Sequence, residues 1–325
     1  MARRLTIGPI LIAVFVLLMW ADQAFESTPL PDWLAFLAVK GTGTPYGPPG
    51  TILLLLGMLI CARASIELAR MYKATGAIVS RRVVVFSSMI GVLAGGLTIG
   101  SPHRSAVGGI LRESGGAVLA TAGVLVVIVA FLIHTRHQTI KGACSAIGAA
   151  LMAFTYAGVT LGFLMALRTE FSAWVVLGVI MTAKTCDIGA YFTGRAIGRH
   201  KLIPWVSPGK TWEGLVGGMV TSGLVGAAFA ALVVRLQASG QSVGGLESVH
   251  LTPVHGFMAG AVLGLTAQIG DLSASVLKRD AGIKDSGRLL PGFGGIIDVI
   301  DSLVLAGPAA FWYLTALRGM QHSQP

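Results

Sequence analysis

Apolar residues run through the chain in long blocks, broken by short polar stretches. Nine blocks stand out: 5–20, 50–62, 83–100, 116–134, 143–166, 171–190, 214–234, 255–275 and 294–317. Most approach the ~20 residues that carry a helix across a bilayer; the second is shorter, and its ends stay open. Backbone polar groups cannot be left unsatisfied in lipid, which restricts spanning segments to helices or closed barrels. No ten-residue alternation of a membrane barrel is visible. The pattern predicts an all-α polytopic membrane protein with about nine transmembrane helices.

The polar breaks set the orientation, because Lys and Arg concentrate in cytoplasmic loops. With the N-terminus inside, the inner breaks hold Arg3 and Arg4, then Arg63, Arg70, Lys73, Arg81 and Arg82, then Arg136 and Lys141. They continue with Arg195, Arg199, Lys201 and Lys210, and end with Lys278, Arg279, Lys284 and Arg288. The outer breaks hold Lys40, Arg104, Arg112, Arg168, Arg235 and Arg318, and Lys184 lies within a span. An excess of 17 over 6 predicts a cytoplasmic N-terminus. Ala21–Pro49, with Asp22, Glu26 and Asp32, reads as an outer loop, and Pro31–Val39 as interfacial. Arg3 and Arg4 before an apolar run resemble a secretory signal, but the following spans and the missing small-x-small site favour an uncleaved first helix.

Composition removes the soluble alternatives. Of 325 residues 54% are hydrophobic and only 12% charged, at a mean hydropathy of +0.77, where soluble domains carry roughly 25% charge. The net charge of +10 is scattered over short loops rather than gathered in a basic helix, so nucleic acid is not the expected partner. Cys61, Cys144 and Cys186 match no zinc or disulfide spacing and read as packing residues. The scattered glycines read as close-packing points between helices.

The informative charges are those placed against lipid: Asp187, Asp271, Asp298, Asp301 and Lys184. Four ionised carboxylates at helix centres would cost about 10–14 kcal/mol on an insertion scale, so a compensating cation is expected. On a helix, Asp271, Ser275 and Lys278 stack on one face at i, i+4 and i+7, and Asp298 and Asp301 share a face at i, i+3. Between them runs a loop with Lys284, Arg288 and the turn Pro291-Gly292-Phe293-Gly294-Gly295. Two carboxylate faces joined by a basic, glycine-rich loop suit Mg²⁺ and phosphates. The metal takes oxygen ligands, the basic side chains take phosphate charge, and glycines let backbone N–H groups approach it. A second loop carries Arg195, Arg199, His200, Lys201 and the run Ser207-Pro-Gly-Lys210-Thr211 with Glu213. Ser207 is the expected cap of the next helix, whose N-terminus favours an anion.

These stretches resemble the phosphatidate cytidylyltransferase (CDP-diacylglycerol synthase) family. The motifs are Asp187 to Tyr191, Ser207 to Gly214, Ser275-Val-Leu-Lys278-Arg279, Lys284-Asp285, Pro291 to Gly295 and Asp298-Val-Ile-Asp301. They occupy about the last 40% of the chain. The resemblance implies reaction of CTP with phosphatidate at the cytoplasmic face of a bacterial inner membrane, giving CDP-diacylglycerol and pyrophosphate. It implies Lys278, Asp298 and Asp271 as catalytic residues, with Lys278 paired to Asp298. It places Mg²⁺, with room for a second cation, on Asp271, Asp298, Ser275 and Asp301. Asp187, Ser207, Lys210, Thr211, Arg279, Lys284, Asp285 and Arg288 fall at substrate-binding positions. On this division residues 1–170 are scaffold and lipid access and 171–325 the catalytic region, with membrane lipids and a homodimer as further partners.

Two positions depart from the family pattern: Phe293 stands where many members have His, and Val299 where they have Arg. Arg288, in the same loop, is the expected source of compensating charge. Three other readings stay open: another lipid phosphate as acceptor, a cation-coupled transporter, which would also use intramembrane aspartates, and an inactive homologue.

Overall fold

The computed structural model describes residues 2–29, 47–99, 114–136, 140–247, 249–287, 289, 292 and 294–322. The chain folds into two compact units. One comprises Met1–Ala173 with Asp280–Val299, the other Trp174–Arg279 with Ile300–Pro325.

The first unit contains α1 (Ala2–Glu26), α2 (Thr51–Ala74), α3 (Arg81–Ile99), α4 (Gly115–Thr135), α5 (Ala143–Met152), a π-helical stretch (Ala153–Val159) and α6 (Thr160–Glu170). The second contains α7 (Ala173–Ile197) from Trp174 on, β1 (Lys201–Ile203), β2 (Ser207–Thr211), α8 (Trp212–Ala238), α9 (Pro253–Asp280) up to Arg279, and α11 (Leu303–His322). The four-residue α10 (Ile297–Ile300) spans the boundary at Val299. Each expected apolar block is mainly helical over its described residues, the last one being interrupted at Asp301 and Ser302. Among the described residues, eight segments are long and apolar enough to cross a membrane, and the 19-residue α3 fills the remaining block.

In the first unit, close helix packing rests on two Gly-x-x-x-Gly pairs. A Cβ at Gly91 would meet Gly158 Cα at 2.8 Å, and one at Gly162 would meet Gly95 Cα at 2.9 Å. Small residues four apart let two backbones touch, which substitutes for the hydrophobic drive that lipid lacks. The π-helical turn ends at this crossing, while Val83, Val126, Ala130, Ala150 and Phe154 form an apolar core beside it. The second unit repeats the device with Gly226 against Gly256 and Gly260. Its helices start on defined caps: the Thr211 hydroxyl accepts from Gly214 N–H at 3.1 Å, and Thr252 from His255 N–H at 3.3 Å, with Pro253 opening α9.

Several expectations change. Asp22 and Glu26 lie on the last turns of α1 rather than in an outer loop, and Arg168 is not a loop charge. Arg168 is 1% exposed; its Nε lies 2.5 Å from Asp22 Oδ2 and its Nη2 2.8 Å from Glu26 Oε2. The second Asp22 oxygen accepts from Ile52 and Leu53 N–H at 2.9 and 3.2 Å, so it satisfies the open N-terminus of α2. Gln23 completes the staple, donating to Glu26 and accepting from Ala173 N–H. Cys61 and Cys186 are buried as expected, but Cys144 is exposed. Asp32 and the interfacial stretch Pro31–Val39 lie outside the described residues.

Candidate active site

In the second unit, the loop after α7 folds into a short antiparallel hairpin, Lys201 pairing with Thr211 and Ile203 with Ser207. Ser207 therefore begins a strand, and the helix cap is Thr211, because β2 runs straight into α8 and brings Thr211 to the capping position. Glu213 clasps the hairpin to that helix, accepting from His200 N–H at 3.2 Å and meeting His200 Nδ1 at 2.6 Å.

β2 sends Lys210 to α9. Its Nζ lies 2.5 Å from Asp271 Oδ2 and donates to Gln268 Oε1 at 2.7 Å. The Gln268 amide nitrogen donates to Asp187 Oδ1 on α7 at 2.8 Å. An ammonium only donates and a carboxylate only accepts, so the amide has a single consistent orientation between them. Asp301 stands within hydrogen-bonding reach of Asp271, and Lys184 Nζ is 3.8 Å from Asp301 Oδ1. Lys278, 8% exposed, adds its charge near Asp271. Two carboxylates this close repel unless a proton or cations accompany them. Three lysines thus face three aspartates, and Gln268 holds the geometry.

The helix expected to carry Asp298 and Asp301 on one face is interrupted. α10 ends at Ile300, Asp301 and Ser302 form a turn, and α11 begins at Leu303. The Asp301 carboxylate accepts its neighbour's N–H, Ser302, at 2.6 Å, and such local side-chain bonding competes with the helical ladder. A side chain at Gly270 would collide with the Asp301 carbonyl, so α9 packs directly on this break.

In the first unit, Asp298 organises a turn. Its Oδ2 accepts from Ser286 N–H at 2.8 Å and Gly295 N–H at 2.9 Å, and lies 3.0 Å from Ser286 Oγ. Glu67, from α2, is fully buried: Oε1 accepts from Ile296 N–H at 3.0 Å, and Oε2 from Ile297 N–H at 3.1 Å and Ser286 Oγ at 2.8 Å. Gly294 is left-handed at φ +92°, and a Cβ there or on Gly295 would run into Asp298 or into Ser286 and Glu67. The glycines are needed because backbone wraps two carboxylates of the chain itself. The N–H of Gly295, in the turn whose glycines were expected to admit phosphate, is already engaged by Asp298, and the N–H groups of Ile296 and Ile297 by Glu67.

Asp187, Lys210, Asp271, Lys278 and Asp301 are therefore gathered in the second unit. Ser275 sits one turn from Asp271 on α9, and exposed Arg279 donates to Val206 O at 3.3 Å. Asp298, Lys284 and Asp285 belong to the first unit, the last two exposed. Arg288 and Phe293 lie outside the described residues.

Glu67 and Gln268 escaped sequence reading. A charged stretch at Arg63, Arg70 and Lys73 looks like a loop, yet α2 continues through it with Arg70 and Lys73 exposed. The usable signal is the buried stripe Cys61, Ala64, Ser65, Leu68 and Met71, on which Glu67 sits. Carboxylate, hydroxyl and amide oxygens are the hard donors Mg²⁺ selects. Among the described residues no three His, Cys, Asp or Glu side chains converge as an ion site. A fit to Mg²⁺ on this donor set thus means one or two carboxylates, with water and substrate oxygens completing the shell.

Long apolar helices, with a lysine–aspartate cluster in the second unit, define an integral membrane protein. The cytidylyltransferase family model matches residues 33–317, and the chain belongs to that family. It is 38% identical over 142 residues to the uncharacterized protein YnbB of Escherichia coli K12, covering 44% of this chain and 43% of that one. To the phosphatidate cytidylyltransferase of Haemophilus influenzae it is 39% identical over 136 residues, 42% of this chain and 43% of the relative. The phosphatidate cytidylyltransferase of Brucella suis is 37% identical over 210 residues, 64% of this chain and 69% of the relative. The match spans less than half the length of the first two.

Proposed function

We propose that the chain transfers the cytidylyl group of CTP to phosphatidate at the cytoplasmic face of a bacterial inner membrane. The carrying observation is the cluster of Lys210, Asp271, Gln268, Asp187, Asp301 and Lys184 among spanning helices of a cytidylyltransferase-family chain. A phosphatidate oxygen attacks the α-phosphorus in line, the bond to the β-phosphate oxygen breaks, and pyrophosphate leaves. The nucleophile is already anionic near neutral pH, so the protein needs no strong base. Its task is to bring two polyanions together and stabilise the charge that develops.

Lys210, Lys278, Arg279 and Lys284 supply cationic contacts for phosphate oxygens, with Arg288 as the charge compensating for Phe293 and Val299. Asp271 and Asp301, with Ser275 beside them and Asp298 as the further motif carboxylate, would hold Mg²⁺. When bound, the ion neutralises phosphate charge and stabilises the departing pyrophosphate. Gln268 keeps Lys210 and Asp187 apart and oriented. Residues 1–170 serve as scaffold and lipid access.

The test is purified full-length protein in vesicles with CTP, Mg²⁺ and either phosphatidate or another lipid phosphate, with Asp298→Asn as control. CDP-diacylglycerol above the control is expected. Product only from a different lipid phosphate would replace the acceptor, and no CTP-dependent product from any of them would overturn the reading.

A further inference from the structure

We infer that Glu67 is a positioning residue for Asp298, so that a helix carrying none of the recognised motifs sets the geometry of a motif carboxylate. The inference rests on the cytidylyltransferase reading for its catalytic part and on geometry alone for its structural part.

Glu67 has no exposed surface. A carboxylate buried in a helical bundle is expensive unless its oxygens are satisfied, and here both are satisfied by one segment. Ile296 and Ile297 N–H bind it directly, and the Ser286 hydroxyl binds it from the other end of the turn. The same turn frames Asp298, with Ser286 common to both carboxylates. Ser286 N–H and Gly295 N–H hold Asp298 Oδ2. Ser286 Oγ lies 2.8 Å from Glu67 Oε2 and 3.0 Å from Asp298 Oδ2. One hydroxyl carries one hydrogen, so that proton is poised between two acceptors. A side chain at Gly287 would meet Glu67 Oε1 at 2.8 Å, and one at Gly295 would collide with Oε2. The turn is thus moulded on Glu67, and α2 fixes the plane and register from which Asp298 projects.

Outer partners of this kind typically affect metal affinity or rate by about 10- to 100-fold when removed. Glu67→Gln and Glu67→Ala should lower kcat by about 10- to 100-fold with KM for CTP changed less than about threefold. Glu67→Gln should be the milder, since it keeps one acceptor oxygen. Asp22→Asn, which breaks a buried acid elsewhere in the same unit, should lower thermal stability and leave kcat per folded molecule unchanged.

Hydrogen–deuterium exchange gives a readout independent of turnover. In Glu67→Ala the amides of Gly295, Ile296 and Ile297 should exchange at least about tenfold faster, while α8 amides keep their rates. Unchanged exchange in the turn would overturn the inference. Faster exchange with unchanged kcat would overturn its catalytic part. Faster exchange in Glu67→Ala, alongside a wild-type protein that makes no CDP-lipid, would uphold the geometry and sink the functional reading instead.

Discussion

In the first unit Asp22, Glu67 and Asp298 each take two backbone N–H groups, whereas the aspartates clustered in the second unit are held mainly by side chains. Asp22 takes N–H groups of Ile52 and Leu53, Glu67 those of Ile296 and Ile297, and Asp298 those of Ser286 and Gly295. Asp187 and Asp271 take the Gln268 amide and the Lys210 ammonium, and Asp301 faces Lys184 while also accepting from Ser302 N–H. Backbone donors cannot leave without unfolding the segment, so they commit a carboxylate to one place. Lysine stems rotate, so an ammonium can pass from a carboxylate to an arriving phosphate. The first arrangement suits fixing a turn or a helix start; the second suits a site whose charges must be re-partnered when a polyanion enters.

The largest effect that would break this contrast is expected from Arg168. Arg168→Ala removes the buried cation that Asp22 and Glu26 share and should cost about 3–5 kcal/mol of stability, seen as a lower melting temperature in detergent. Specific activity of the folded fraction should not change; a kcat loss would show that the staple does more than hold helices.

Asp271→Asn should do the reverse, cutting kcat by about 10²–10³-fold with a melting temperature near wild type. A protein that melts early and remains active when folded would move Asp271 to the structural side of the comparison. Gln268→Leu, which removes the bridge between Lys210 and Asp187 without touching either, should cost about 10-fold or somewhat more in kcat/KM. An unchanged value would mean the two charges orient themselves.

The smallest effect is the helix cap. Thr211→Ala leaves Gly214 N–H without its partner and should cost about 1 kcal/mol. Thr211→Ser should restore it if the hydroxyl, rather than the methyl packing, supplies the stability.

The spans and the charges that gather in the second unit were readable because each announces itself locally. A long apolar run is a helix in lipid, and an aspartate inside one needs compensation wherever it is. Asp187 and Asp271 were singled out on that ground and Lys210 for its place in a basic loop, and the three do gather together. Pairings across the sequence were not readable. Arg168 and Asp22 stand 146 positions apart, and each alone looks like an ordinary charge near a span end. Glu67 was masked by its basic neighbours, which made a continuing helix resemble a loop. Gln268 carries no charge, so its presence in a span raised no question about compensation. Asp298 and Asp301 keep the i, i+3 spacing of one face, but local capping by Asp301 breaks the helix between them. Ser207 was a reasonable cap by residue type; the hairpin, too short to register as alternation, hands that role to Thr211.

The most direct test of the account follows the phosphorus atoms of CTP. Vesicles containing the full chain, phosphatidate and Mg²⁺ are supplied with CTP labelled at either the α- or the γ-phosphate, alongside Asp271→Asn. The account predicts α-label in the lipid fraction, γ-label in pyrophosphate, and loss of both transfers in the variant. Label in the lipid from the γ-position, or α-label transfer that survives in Asp271→Asn, would contradict it.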